Sequence, residues 1–374
     1  MAFKQLLLSR APLSLQAGIP KYCLNLSLRN DYISTTSLSY SISREQNFDC
    51  VNSQLNLIEL QSRSQLICSS FGLSFKYLLL FFRCLRDSDF VHLQHPDPVS
   101  ALLSLFLIIV RKPFFITWHA EVYQTYLLAR ILLPVDLLLA LFATHLFTFS
   151  PLHLASFRFL SLRYFQKKIS IIPLGCVSTK DISASSKPSP CLSDNIKLIC
   201  VGRLVGYKGF EYAITAISIL PANYSLTIVG DGPLLQTLTT LSQRLSVANR
   251  VSILPETSDD TKFCLLDAAH IFLLPSITQS EAFGIAQVEA MSRGLPVVAS
   301  DLGNGVNYVN INDFTGLNVT PRDPFAISRA CQYIVSSPSI YTNFSANALE
   351  NASRFTIELM QATFNETLAR FLSL

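Results

Sequence analysis

The chain has 374 residues and a net charge of +4, long enough for two cores of about 180 residues each and too long for one. Half of its residues are hydrophobic and only 14% are charged, for a mean hydropathy of +0.37. That balance suggests membrane contact, yet no run of about 20 apolar residues is present, which favours buried or membrane-surface helices over a spanning one: Val99 to Val110 is too short, and Leu132 to Phe147 carries Asp136 and His145.

From the N-terminus, Phe3 to Leu8 predicts a first strand, since three consecutive leucines fall short of the apolar region of a secretory signal. Residues 30 to 60 are polar and weakly patterned. Lys76, Arg83 and Arg86 flank Tyr77-Leu-Leu-Leu-Phe-Phe82, a basic amphipathic helix suited to an anionic membrane face as well as to a core. Strands follow at Phe90 to Gln94, Phe114 to Trp118, His145 to Phe149 and Ile169 to Pro173. A Ser/Pro-rich break, Gly175 to Pro190, then marks a domain boundary. Alternation resumes with strands at Lys197 to Val201, Ser225 to Val229, Val251 to Leu254, Ile271 to Leu274 and Pro296 to Ala299. Strands alternating with helices predict two doubly wound parallel sheets, whose ligands bind beyond the strand carboxyl ends. We place the domains at 1–175 and 196–352, with a linker at 176–195 and a helix at 353–374 crossing back to the first domain.

Residues 1–180 carry 17 Lys+Arg against 9 Asp+Glu, and residues 181–374 carry 12 against 16. The first half is thus a basic body with apolar surface to spare. Nine cysteines, an odd number without a C-x-x-C pair, fit a reduced cytoplasmic setting and no zinc site.

The chemistry gathers after two strands of the second half. Past Val201, the run Gly202-Arg-Leu-Val-Gly-Tyr-Lys-Gly209 sets Arg203 and Lys208 in a loop of small residues, where two cations can neutralise a diphosphate without a metal. Past Leu274, Glu281-Ala-Phe-Gly-Ile-Ala-Gln-Val-Glu289 holds two acids eight positions apart. A helix opening at Phe283, Gly284 and Ile285 would aim free N–H groups at an anion. On an ideal helix the two acids would lie about 80° apart, so Glu281 is read as a loop residue and Glu289 as helical.

Val201-Gly-Arg-Leu-Val-Gly-Tyr-Lys-Gly-Phe210, Val229-Gly-Asp-Gly-Pro233, Leu274-Pro-Ser276 and Glu281 through Val298, in this order and spacing, resemble the retaining glycosyltransferases of family 4, with the GT-B fold. The match is strong over residues 196 to 330 and looser before them. Ser280 to Gly284 and Asp301 to Asn310 are similar to bacterial O-antigen mannosyltransferases. The resemblance implies two Rossmann-like domains facing an interdomain cleft, a sugar nucleotide as donor, and retention of anomeric configuration with no metal or other cofactor. Arg203 and Lys208 match the positions that hold the diphosphate, Glu289 the acid on the ribose hydroxyls, and Glu281 the acid near the transferred sugar. Gly18 matches one glycine of the loop under the diphosphate, where Ala17 replaces a second. His119 matches a histidine facing the transferred sugar, with Glu121 where the family has Asp. His92 and His95 resemble a segment lining the cleft.

Asp87-Ser-Asp89 imitates a D-x-D metal motif but precedes a strand instead of ending one, and is read as a turn. Gly230-Asp-Gly232 lacks the third glycine of a dinucleotide fingerprint, so its loop is assigned to the nucleotide pocket. Guanine is the implied base, making GDP-mannose the expected donor, with UDP-sugars as the alternative; Pro255, where the family commonly has Gly, offers no N–H to it. The implied acceptor is a lipid-linked saccharide in lipopolysaccharide O-antigen or other cell-surface polysaccharide synthesis. The expected location is the cytoplasm, with peripheral contact to the cytoplasmic face of the inner membrane and no nucleic-acid partner. A sugar-nucleotide epimerase and an inactive partner subunit remain as alternative readings.

Overall fold

The computed structural model describes residues 2–9, 18–27, 30–41, 52–54, 57–63, 66–68, 71–73, 75–119, 127–156, 160, 163–190 and 195–372. The chain divides into two compact units, Met1–Gly175 with Ile357–Leu374, and Cys176–Thr356.

The first unit holds β1 (Phe3–Ser9), β2 (Ile33–Ser41), β3 (Asn52–Gln54), β4 (Leu57–Arg63), the small hairpin β5 (Leu66–Cys68) and β6 (Phe71–Leu73), then β7 (Phe90–His95), β8 (Phe114–Trp118), β9 (His145–Thr148) and β10 (Ile169–Ile171). Eight of them form one sheet in the order β10-β9-β8-β7-β1-β2-β4-β3, parallel throughout except for the β3–β4 edge. Parallel strands covered on both faces need near-continuous apolar runs, and β7 and β8 are buried at every position.

The weakly patterned stretch at 30–60 holds β2 and the start of β4, two strands that hydropathy did not reveal. Thr35, Ser37 and Ser39 are at most 1% exposed inside the sheet. Thr35 Oγ1 donates to Gln5 Oε1 on the neighbouring strand at 3.3 Å, so one of these hydroxyls is held by polar pairing where an apolar side chain would have advertised the strand.

Around this sheet the helix Phe75–Asp87 buries Tyr77, Phe81 and Leu85. The helix Pro98–Ile109 starts on a proline and is capped by Asp97, whose carboxylate accepts from the Val99 and Ser100 amides at 3.3 Å. Asp87 ends its helix, and the Asp89 carboxylate accepts the Lys4 amide at 2.8 Å, anchoring the turn ahead of β7 to β1. No helix among the described residues is long and apolar enough to cross a membrane. The last helix, Ile357–Phe371, lies in this unit with Met360, Phe364 and Leu368 buried. Phe364 sits 5.1 Å from the His92 ring and 5.0 Å from Phe147, and the Asn30 and Asn365 amides bond reciprocally at 3.1 and 3.0 Å.

The second unit holds β11 (Ile196–Val201), β12 (Tyr224–Val229), β13 (Val251–Leu254), β14 (Ile271–Leu274), β15 (Val297–Ser300) and β16 (Gly316–Val319). They form a wholly parallel sheet in the order β13-β12-β11-β14-β15-β16. Counted within the unit this is 3-2-1-4-5-6, the doubly wound order whose switch point falls between the first and fourth strands. β11 and β14 are those strands, and the loops after them carry Arg203, Lys208 and Glu281. Helix Phe210–Ile219 closes one face of the core with Ala213, Ile214, Ala216 and Ile217 fully buried.

Residues 176–190 belong to this second unit. Ser183 N donates to Ser292 O at 2.8 Å, and Lys187 Nζ donates to the Leu266, Asp267 and Ala269 carbonyls at 2.6 to 2.9 Å. Lys187 thereby caps the C-terminus of the helix Asp259–Ala268, where a cation meets the negative end of the helix dipole.

Candidate active site

The loop after β11 turns tightly because its glycines permit close approach. Gly209 has φ +65°, and a Cβ there would lie 2.1 Å from the Pro275 carbonyl oxygen in the loop after β14. Ile277 N donates to Tyr207 O at 2.8 Å, so the two loops at the switch point are tied together by their backbones. The glycines of Gly230-Asp-Gly232 support the same region from β12: Leu204 N donates to Asp231 O, and Asp231 Oδ2 accepts the Glu256 amide at 3.0 Å.

The helix after β14 runs from Ile285 to Met291, with Gly284 as its N-cap at φ +72°. Glu281 therefore lies in the loop and Glu289 on the helix. Both are buried, at 7% and 4% exposure. Neither acid stands bare. Lys208 Nζ is 2.6 Å from Glu281 Oε2, which also accepts from Ser276 Oγ at 2.9 Å, while Asn304 Nδ2 donates to the Glu281 carbonyl at 2.8 Å. Lys262 Nζ, from the helix Asp259–Ala268, reaches Glu289 Oε1 at 2.9 Å and Asp259 Oδ1 at 2.7 Å. Each acid is paired with its own lysine, as buried charge requires.

Arg203 is exposed and makes no ion pair among the described residues. Lys208, expected beside it on a diphosphate, is here engaged with Glu281. Phe283 turns its ring inward to meet Phe355 edge-on at 5.6 Å, which leaves only its backbone for a ligand. Ile285 is half-buried at the first position of the helix. Lys262, Ser276 and Asn304 escaped the sequence reading. Ser276 and Asn304 lie inside the quoted motifs, whereas Lys262 offered no local signal because it meets Glu289 only through the fold.

In the first unit, His119 follows β8 and is 7% exposed. Its Nε2 is 2.6 Å from Gln94 Oε1, and its ring meets Tyr22 edge-on at 5.3 Å. Gly18 opens the helix Gly18–Ser27 after β1. Residues 10–17, with Ala17, and residues 120–126, with Glu121, lie outside the described residues. His92 does not line a surface: it is fully buried, its two nitrogens 2.9 Å from Gln5 Nε2 and 2.7 Å from Thr117 Oγ1. Burial holds it well below the usual histidine range, at about 3. His95 is likewise pushed down to about 3 by burial, 3.7 Å from Asp136, whose carboxyl burial raises to about 7.

Two α/β units built on parallel strands, the second in the 3-2-1-4-5-6 order with charged loops at its switch point, match the GT-B fold. Solved structures share the fold: HepE from Anabaena in complex with UDP superposes with a TM-score of 0.78 at 19% identity, over 99% of this chain and all of that one. Sucrose-phosphate synthase from Thermosynechococcus elongatus gives 0.76 at 19% identity, over 98% of each chain. Residues 181–351 match the family of glycosyl transferases group 1. Among curated proteins, the D-rhamnosyltransferase WbpZ of Pseudomonas aeruginosa is 27% identical over 299 residues, 77% of this chain and 75% of its own. The O-antigen chain mannosyltransferase C of Escherichia coli is 25% identical over 284 residues, 74% and 73% of the two chains. The chain is a glycosyltransferase, and its second unit carries the group 1 domain.

Proposed function

We propose that the chain moves a hexose from a sugar nucleotide onto a lipid-linked saccharide during O-antigen or related cell-surface polysaccharide synthesis, with retention of anomeric configuration and without a metal. The observation that carries this reading is the convergence of Arg203, Lys208 and Glu281 on two backbone-tied loops at the switch point of the second sheet. Arg203 and Lys208 offset the diphosphate charge, and Glu289 accepts the ribose hydroxyls. Glu281, bridged to Lys208, lies near the transferred sugar and favours positive charge at its anomeric carbon; His119 is assigned to a hydroxyl of the same sugar. The bond from that carbon to the phosphate oxygen breaks as the acceptor oxygen bonds on the same face, and the acceptor proton passes to the departing phosphate. GDP-mannose is the favoured donor, in keeping with the name of the Escherichia coli relative, and a UDP-sugar is the second reading because HepE binds UDP.

The first unit is the proposed membrane-contacting part. Phe75, Leu79 and Phe82 form an exposed stripe on one helix beside Lys76, Arg83 and Arg86, and Phe82 meets Phe106 of the next helix at 5.1 Å. Leu102 and Ile109 extend that apolar face at 51% and 77% exposure. Apolar side chains rimmed by cations suit an anionic lipid surface.

A thermal-shift screen over GDP-, UDP-, ADP- and dTDP-sugars tests the donor assignment, with the largest shift expected for GDP-mannose. Stabilisation by none of the four nucleotide classes would sink the transfer reading in favour of an inactive partner subunit.

A further inference from the structure

The second unit buries a lysine that the proposed transfer chemistry does not use. Lys262 is 9% exposed, and its Nζ joins Asp259, three residues before it on the same helix, to Glu289, 27 positions further along the chain. A lysine next to an exposed acid can stretch into solvent and pair there at little cost. Asp259 is such an acid, its side chain 63% exposed, yet Lys262 spends its length reaching inward to Glu289, whose side chain is 6% exposed. Three donor hydrogens on an ammonium can serve both carboxylates at once.

A carboxylate that is to accept two neighbouring hydroxyls must hold its plane, since each hydrogen bond depends steeply on angle. Glu289 sits on a short helix and could turn about its terminal torsion, which is soft in glutamate. We infer that Lys262 is a positioning residue for donor recognition: by holding Oε1 of Glu289, and being itself held by Asp259, it sets the carboxyl plane that meets the ribose diol of the sugar nucleotide. This rests on the assignment of Glu289 to the ribose. Lys262 thus acts through another residue, and its loss removes discrimination for ribose more than it removes binding of the diphosphate, which is carried by Arg203 and Lys208.

The test measures binding of GDP and UDP, each against its 2′,3′-dideoxy counterpart, by calorimetry on the full chain. The wild type is expected to favour the ribose form at least tenfold. Lys262→Met lowers that preference to about twofold while binding the dideoxy form within twofold of wild type, and Lys262→Arg restores most of the preference. Glu289→Gln removes the preference, and adding Lys262→Met to it changes the ratio no further. Asp259→Asn, at an exposed position, gives a smaller drop in the same ratio and serves if Lys262→Met does not fold. Unchanged preference in both Lys262→Met and Asp259→Asn, or equal loss for ribose and dideoxy forms, overturns the inference while leaving the ribose role of Glu289 intact. A wild type indifferent to the ribose hydroxyls overturns that role itself, and this inference with it.

Discussion

Lys208 and Glu281 are best probed together, because each is the other's buried partner. Their charged atoms lie 2.6 Å apart with side chains 13% and 9% exposed. Removing one member of a buried pair strands the other, which costs about 3 to 5 kcal/mol. Both groups keep some contact with water, so the low end applies, and Lys208→Met is expected to cost about 3 kcal/mol. Glu281→Gln should cost less, because the amide oxygen still accepts from Ser276 and the lysine can withdraw toward solvent. The double substitution leaves no stranded charge, and its cost should fall short of the summed single costs by at least about 1.5 kcal/mol. Urea unfolding at pH 7, followed by circular dichroism, measures the four corners of this cycle. Turnover should fall about 100-fold in each single variant and little further in the double, since one preorganised unit is removed in every case. Additive stabilities within about 0.5 kcal/mol, or wild-type turnover in Glu281→Gln, would show that the pair is neither coupled nor part of the chemistry.

Arg203→Gln should leave the melting temperature unchanged, because Arg203 is exposed and unpaired among the described residues, yet weaken donor binding about 10- to 100-fold as a charge-assisted phosphate contact is lost; equal KM for the donor in both proteins would remove it from the site. Leu79→Ser/Phe82→Ser should reduce binding to phosphatidylglycerol vesicles about tenfold with catalysis on a soluble acceptor intact, and unchanged flotation would dismiss the lipid-facing role of that helix. His92 provides the pH test. Its folded pKa lies below its unfolded value of 6.5, so the stability it contributes is complete above pH 6.5 and is lost as pH falls toward about 3. By pH 5 the wild type should have surrendered about 2 kcal/mol through this group. The stability gap to His92→Asn should therefore narrow by that amount between pH 7 and pH 5, and a constant gap would contradict the assignment of His92 as a neutral core residue.

The sequence disclosed the second unit more fully than the first for a physical reason. β11, β12, β14 and β15 are interior parallel strands, and burial writes them as apolar runs, with the short edge strand β13 beside them. β2 is equally interior, but its Ser and Thr side chains carry no such mark. β16 was missed because it opens with Gly316 and carries Asn318; a Cβ at Gly316 would stand 1.8 Å from the Val297 carbonyl, so close strand approach, not hydrophobicity, chose that residue. At the site, the order strand, loop, acid, helix, acid was legible and placed Glu281 and Glu289 on the elements they occupy. Their charge partners were not. Lys208 looked like a phosphate ligand alone, and Lys262 stood on a helix whose approach to Glu289 no local pattern records.

The final helix has a consequence for how the molecule comes into being. Residues 357–371 complete the core over His92 and Phe147, yet they follow the whole second unit in the chain. All of the second unit, from Cys176 to Thr356, is synthesised before them. Domains generally fold as units while the chain is being made, so here the later unit can close first while the earlier one waits for the helix that covers His92 and Phe147. The first unit then finishes folding only once residues 357–371 have been made, which ties its completion to that helix.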